Sequence, residues 1–186
     1  MTAVMRHAET DADLLACFPL MRELRPHLTE AAAFIARVRR QQAAGYRLLA
    51  AWAGAAPLGD TPLGDTPLDD TPLGDAPRGD TALGNTPAGN TPAGNTPLGL
   101  AGYRPHENLI RGPFCYVDDL VVAPSARRLG LGAQLLDAVS AGALAIGLPH
   151  LVLDTGLDNS LGQRFYFRYG MLPAALRFAM PLKEPI

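Results

Sequence analysis

Residues 122–136 read Val-Ala-Pro-Ser-Ala-Arg-Arg-Leu-Gly-Leu-Gly-Ala-Gln-Leu-Leu. An apolar run ends, a short loop with two arginines follows, and two glycines open a helix rich in Leu and Ala. Gly130 and Gly132 let backbone N–H groups approach an anion closely, and a helix N-terminus adds its dipole. Arg127 and Arg128 add positive charge beside it. The chemistry that these residues serve is the cradling of a phosphate or pyrophosphate. A dinucleotide fold would have G-x-G-x-x-G here and a P-loop would have G-x-x-x-x-G-K-S/T, and the sequence has neither. Just upstream lie two adjacent carboxylates, Asp118 and Asp119. Their plainest reading is pairing with arginines such as Arg111 or Arg164; the other is proton transfer in a site.

Metal chemistry has no support in the pattern. The four histidines (His7, His27, His106, His150) lack ligand spacing, and Cys17 and Cys115 are far apart with no CxxC. No metal is expected, and two lone cysteines suit a reducing, cytoplasmic setting. No apolar run approaches the roughly 20 residues that span a bilayer. The N-terminus lacks the apolar core of a signal peptide. With 16 basic and 18 acidic side chains the formal charge is −2. That gives no sign of nucleic-acid or membrane partners.

The elements that must position the cradle alternate between strand and helix. A first strand is expected within Met1–His7. Thr10 with Asp13 reads as a capping box opening a helix through about Leu24, closed by Pro26. Thr29 is the expected N-cap of a second helix, with Phe34, Ile35 and Val38 as its apolar stripe and Gly45 as its stop. Tyr46–Ala53 and Leu98–Arg104 read as two strands of a hairpin. Tyr116–Val122 is a strong strand. Leu131–Ile146 is a helix, His150–Asp154 a short strand, Ser160–Tyr169 a helix stopped by Gly170, and Leu176–Leu182 a last strand. The class is mixed α/β, and 186 residues suit one domain.

Residues 57–96 interrupt the hairpin with eight near copies of Pro-Leu-Gly-Asp-Thr. Excising them joins Ala56 to Pro97 and leaves an ordinary strand–turn–strand. With one modest apolar residue per unit, the repeat is expected to be a flexible loop. A β-solenoid would lose a ladder donor at every proline. The repeat holds six acids and one base, so the other 146 residues carry a net +3. A mildly basic body suits an anionic small ligand. Arg78-Gly79-Asp80, an integrin-type tripeptide, reads as a Leu→Arg change in a unit that already supplied Gly-Asp.

The Arg-x-x-Gly-x-Gly loop in its strand–loop–helix setting resembles the GCN5-related N-acetyltransferase (GNAT) superfamily. Tyr116-Val-Asp-Asp-Leu-Val-Val122 is similar to the family's fourth strand, Leu151-Val-Leu-Asp154 to its fifth, and Asn159, Phe165-Tyr166 and Gly170-Met171 to its ending. The resemblance covers the chain outside residues 57–96, with sharp motifs in about 116–171. It implies a single-domain α/β acyl-CoA N-acyltransferase fold with a central mixed, mostly antiparallel sheet, flanked by helices and splayed between the fourth and fifth strands. It implies acetyl-CoA as co-substrate and an amine of a small molecule or peptide as acceptor. Backbone groups of Leu120, Val121 and Val122 would pair with the pantetheine amides, one N–H polarising the thioester carbonyl. Residues 127–133 (Arg127, Arg128, Leu129, Gly130, Leu131, Gly132 and Ala133) would hold the pyrophosphate. Asn159 would bond the pantetheine arm.

Tyr166 would be the general acid and Asp118 the base, directly or through a water, provided burial beside Asp119 raises its proton affinity. Arg128 stands where the family often has Gly. Met21, Leu24, His27, Leu172 and Phe178 suggest a mixed apolar acceptor pocket without dense acidic lining. Dimers are frequent in the family, which points by analogy to a homodimer. The alternative is a non-catalytic acyl-CoA-binding or scaffold module that displays the repeat. A retired enzyme would have no need of an acid at Tyr166.

Overall fold

A computed structural model describes residues 3–54 and 96–182 of the chain. The predicted flexible repeat lies outside the described residues, apart from its last residue, Thr96.

β1 (Ala3–His7) leads into α1 (Asp11–Leu24) through the predicted capping box. Asp13 N–H donates to Thr10 Oγ1 at 3.1 Å, and Thr10 N–H donates back to Asp13 Oδ2 at 3.1 Å. α2 (Ala31–Gln42) buries Phe34 and Val38. Its N-cap is Glu30 rather than the expected Thr29, and no side chain caps it. At its other end, Arg39 of the last turn pairs with Asp11 at 2.6 Å and ties the end of α2 to the start of α1.

β2 (Arg47–Ala53), β3 (Pro97–Asn108) and β4 (Gly112–Val122) follow as an antiparallel meander. Ala53 N–H donates to Thr96 O at 2.9 Å, so the two ends of the β2–β3 connection are adjacent. A 3-10 turn (Pro124–Ala126) leads to α3 (Leu131–Ala145). β5 (Leu151–Leu153) and α4 (Ser160–Tyr169) complete the order. The sheet runs β1-β2-β3-β4-β5, antiparallel except that β5 is parallel to β4.

Alternating strand residues build a core on each face. Leu48, Ala50, Trp52, Leu100 and Val121 pack with Phe18, Phe34 and Val38 on the α1/α2 side. Leu49, Ala51, Ala101, Cys115 and Val117 pack with Leu131, Leu135 and Val139 of α3 on the other.

The expected last strand, Leu176–Leu182, is absent. Residues 171–182 are without regular structure, and Leu176, Phe178, Met180 and Leu182 are exposed. The physical reason is the lack of a partner. β5, the edge beside which such a strand would lie, is three residues long, and Pro173 and Pro181 remove ladder donors.

Candidate active site

The site grows from a bulge in β4. Gly102 pairs with Asp119 and Tyr103 with Val117, which leaves Asp118 as the extra residue. Asp119 and Arg25 lie 2.9 Å apart (Oδ1 to Nε), and the Tyr46 hydroxyl donates to Asp119 Oδ2 at 3.1 Å. Arg25 also donates to the Asp118 carbonyl at 2.8 Å. Asp118 pairs with Arg104 through Oδ1. Its Oδ2 is buried and has no hydrogen-bond partner among the described residues. Buried acceptors are rarely left so, and an orphan of this kind marks a place for a water or a ligand N–H. The expected arginine pairing therefore exists, but with Arg104 and Arg25 in place of Arg111 and Arg164. Burial, then the Asp119 carboxylate, push the Tyr46 hydroxyl well above its ordinary value.

Beyond the bulge β4 loses its second neighbour. β5 pairs only with Cys115–Val117, so residues 118–122 face an opening. Ala123 N–H donates to Leu98 O at 2.9 Å. In an antiparallel ladder the bonded pairs alternate, so Val121 and Asp119 also turn their backbone groups toward β3. Leu120 and Val122 turn theirs toward the opening. By this alternation the Val121 N–H, in register with Leu100, faces β3. Val122 O is taken by Arg127 Nε at 3.2 Å. The groups left for a ligand are the Leu120 N–H and C=O and the Val122 N–H.

At one end of the opening stands the N-terminus of α3. Gly130 is its N-cap at φ +75°, and Arg128 takes φ +67°. The N–H groups of Arg128, Leu129, Gly130, Leu131 and Gly132 donate to no backbone carbonyl among the described residues. Ala133, grouped with them in sequence, already donates to Gly130 O at 3.1 Å. N–H groups without a backbone acceptor, gathered at a helix start, can hold a pyrophosphate. Gly132 has a further reason to be glycine. A Cβ there would stand 3.2 Å from Phe165 Cζ.

α4 underlies the opening. Phe165, Tyr166 and Tyr169 pack against the same core as Leu120, Val122 and Leu153. Burial raises the Tyr166 hydroxyl above its ordinary value, which keeps it protonated. Asn159 caps the helix, accepting from Gly162 N–H at 3.0 Å and donating to Thr155 Oγ1 at 3.0 Å. One of its amide hydrogens remains. Gln163 braces the preceding loop, donating to Gly156 O and Leu157 O.

At the far end Tyr116 donates to Asp154 Oδ2 at 2.5 Å, and Arg177 pairs with the same oxygen at 2.5 Å. Burial and this bond push the Tyr116 hydroxyl up to about 12. Arg25, Tyr46, Arg104 and Asp154 were not singled out from sequence. Tertiary folding brings Arg25, Tyr46 and Arg104 to the bulge and Asp154 to Tyr116, and no local spacing marks them. A shallow depression on the exposed face of α4, lined by Ser160, Gln163, Arg164, Phe167 and Arg168, holds none of the predicted site residues.

The acetyltransferase (GNAT) family model matches residues 66–171. The chain belongs to the GNAT acetyltransferase family. This GNAT fold is also that of solved structures of low identity. An acetyltransferase from Trypanosoma brucei superposes with a TM-score of 0.63 at 17% identity, covering 97% of this chain and 99% of that one. The aminoglycoside N-acetyltransferase AAC(6')-Iy, bound to a CoA–monomethyl-acetylneamine bisubstrate analogue, gives 0.66 at 16%, covering 98% and 99%. Glucosamine-6-phosphate N-acetyltransferase from Arabidopsis thaliana gives 0.59 at 14%, covering 98% and 100%. No curated protein sequence matches the chain. Among the described residues no group of His, Cys, Asp and Glu could hold a metal ion, and no helix is long and apolar enough to cross a membrane.

Proposed function

We propose that the protein is an acetyl-CoA-dependent N-acetyltransferase acting on an amine of a small molecule or peptide. The observation that carries this reading is the run of N–H groups at the start of α3 that have no backbone acceptor among the described residues, set beside the unpaired stretch of β4. Acetyl-CoA supplies, when bound, a thioester acetyl group that an amine can attack directly.

Arg128, Leu129, Gly130, Leu131 and Gly132 would hold the pyrophosphate through their N–H groups. The Arg128 side chain would add charge, while Arg127 keeps the end of β4 in place through Val122 O. Leu120 and Val122 would bond the pantetheine amides, with the remaining hydrogen of Asn159 as a further donor. The Leu120 N–H would polarise the thioester carbonyl, a contribution of about 3 kcal/mol for one well-aimed donor. Asp118 Oδ2, orphaned in the bulge, would accept a proton of the incoming ammonium. Tyr166, kept protonated by burial, would give its proton to the departing thiolate. Holding amine and thioester together in one opening supplies much of the remaining rate.

The reading includes the cytoplasm as compartment, supported by two buried free cysteines, Cys17 and Cys115. It also keeps the homodimer. The exposed apolar side chains of residues 171–182 support this, and sedimentation of the full chain tests it.

Calorimetric titration with acetyl-CoA tests the function, with Gly130→Glu as control. Micromolar binding that the control loses supports the reading. A folded protein that binds no acetyl-CoA sinks it.

A further inference from the structure

Next to the bulge, α1, α2 and the turn between them enclose a cleft of about 90 Å³. Its polar lining is Arg25, His27, Arg37, Gln41, Tyr46 and Asp119, over a floor that includes Met21, Phe34 and Val38. A single water needs about 10–15 Å³ of such space, so the cleft has room for a small polar group the size of a carboxylate or phosphate.

The charges around it point one way. The two carboxylates that a polycationic amine would need are already matched, Asp118 by Arg104 and Asp119 by Arg25 with the Tyr46 hydroxyl. Asp119 is the one acid in the lining, so with Arg25 it contributes no net charge. Arg37 and His27 have no ion pair or hydrogen bond with the described residues, and both are exposed at the mouth. The nearest acids on the two helices do not offset them. Glu23 is drawn 3.8 Å from Arg127, and Glu30, the N-cap of α2, is not part of the lining. The cleft is thus cationic. Asp119 in its wall is the chain neighbour of Asp118, so the cleft lies within one small molecule's span of the orphan Oδ2.

We propose that the cleft between α1 and α2 is an anion subsite, and that the acceptor is a small primary amine that also carries a carboxylate or phosphate. Arg37 and His27 hold the anionic group, Gln41 adds a donor, and the amine then reaches Asp118 Oδ2. This substrate class rests on the acetyltransferase reading, but the subsite does not.

The test has two arms. In the first, the His27 ring is followed by NMR as inorganic phosphate or acetate is added without acetyl-CoA. The His27 signals shift saturably in the natural protein and in Gly130→Glu, fail to shift in Arg37→Ala, and shift again in Arg37→Lys. In the second, kcat/KM is measured for β-alanine, phosphoethanolamine, propylamine and 1,3-diaminopropane. An anionic amine is preferred over the diamine at least tenfold, and Arg37→Glu reverses the order. Preference for β-alanine identifies a carboxylate, and preference for phosphoethanolamine a phosphate. A His27 signal indifferent to both anions, or a diamine acetylated best, overturns the proposal while leaving the acetyltransferase reading intact. Anion-dependent shifts in a protein that binds no acetyl-CoA have the opposite meaning: the subsite stands and the enzyme reading falls.

Discussion

Gly132 and Phe165 are in such close register that a methyl group on residue 132 would stand 3.2 Å from Phe165 Cζ and 3.4 Å from Cε2. The start of α3 and the middle of α4 are therefore set against each other. The start of α3 thus lies beside Phe165, the residue before Tyr166.

Gly132→Ala tests that relation because two effects oppose. Alanine is favoured over glycine in a helix by about 1 kcal/mol. Forcing a methyl into a packed contact costs about 1–3 kcal/mol. The clash involves an aromatic ring held among Tyr166 and Tyr169, so it wins. The variant is expected to lose about 1 kcal/mol of stability in denaturant titration and to lower kcat. A stabilised variant with unchanged kcat would mean that α4 yields freely.

Arg128 predicts the reverse pairing of effects. Its φ of +67° is in the left-handed region, which costs a residue with a Cβ about 1–2 kcal/mol. Arg128→Gly removes that strain, and the greater freedom of glycine in the unfolded chain returns about 0.5–1 kcal/mol of the gain. Net stabilisation of about 0.5 kcal/mol is expected, together with severalfold weaker acetyl-CoA binding from the lost charge. Thermal unfolding and calorimetry measure the two separately. A variant that is less stable, or that binds as tightly, contradicts the strain or the charge respectively.

What was legible in the sequence follows from how local each determinant is. The capping box of Thr10 and Asp13, the stripe of Phe34 and Val38, and the left-handed stop at Gly170 are written within a few residues, and the structure has all three. The loop of Arg127–Gly132 was legible because a strand, glycines and a helix adjoin in the chain. Arg25 was not. It follows α1, and only the packing of that helix over the sheet brings it 2.9 Å from Asp119, 94 residues away. The bulge at Asp118 was hidden too, since a register shift is a property of two strands and not of one. The final strand failed for a similar reason. Alternating Leu176, Phe178, Met180 and Leu182 has a strand's period, but a strand also needs an edge to pair with.

Asp13 links the first helix to pH. Burial pushes its carboxyl up, but hydrogen bonds from the Thr10 backbone, Arg6 and the Thr10 hydroxyl outweigh this and hold it below its ordinary 3.8. A folded value below the unfolded one stabilises at pH above the unfolded value, and the stabilisation is lost as pH falls through the folded one. Asp13→Asn is expected to cost about 1 kcal/mol, a typical cap contribution, from pH 5 to 7. The gap between the two proteins should close below pH 3.8. Urea titrations across that range check it, and a gap that persists at low pH would assign the loss to packing instead of charge.

Tyr166→Phe tests the proposed proton donor. The hydroxyl is raised by burial above its ordinary 10.0, so the acid form persists through neutral and mildly alkaline pH. No loss of kcat from its ionisation is expected below pH 10. Removing the hydroxyl keeps the ring that packs beside Phe165, at 5.3 Å between centroids, so the fold and acetyl-CoA affinity should hold. kcat should fall about 100-fold or more, the usual contribution of a positioned acid. Thiol release measures the loss, and leaving groups of lower thiol pKa should restore part of the rate. If the phenylalanine variant keeps more than half of kcat, the thiolate leaves without help from Tyr166 and the residue is a packed aromatic of α4.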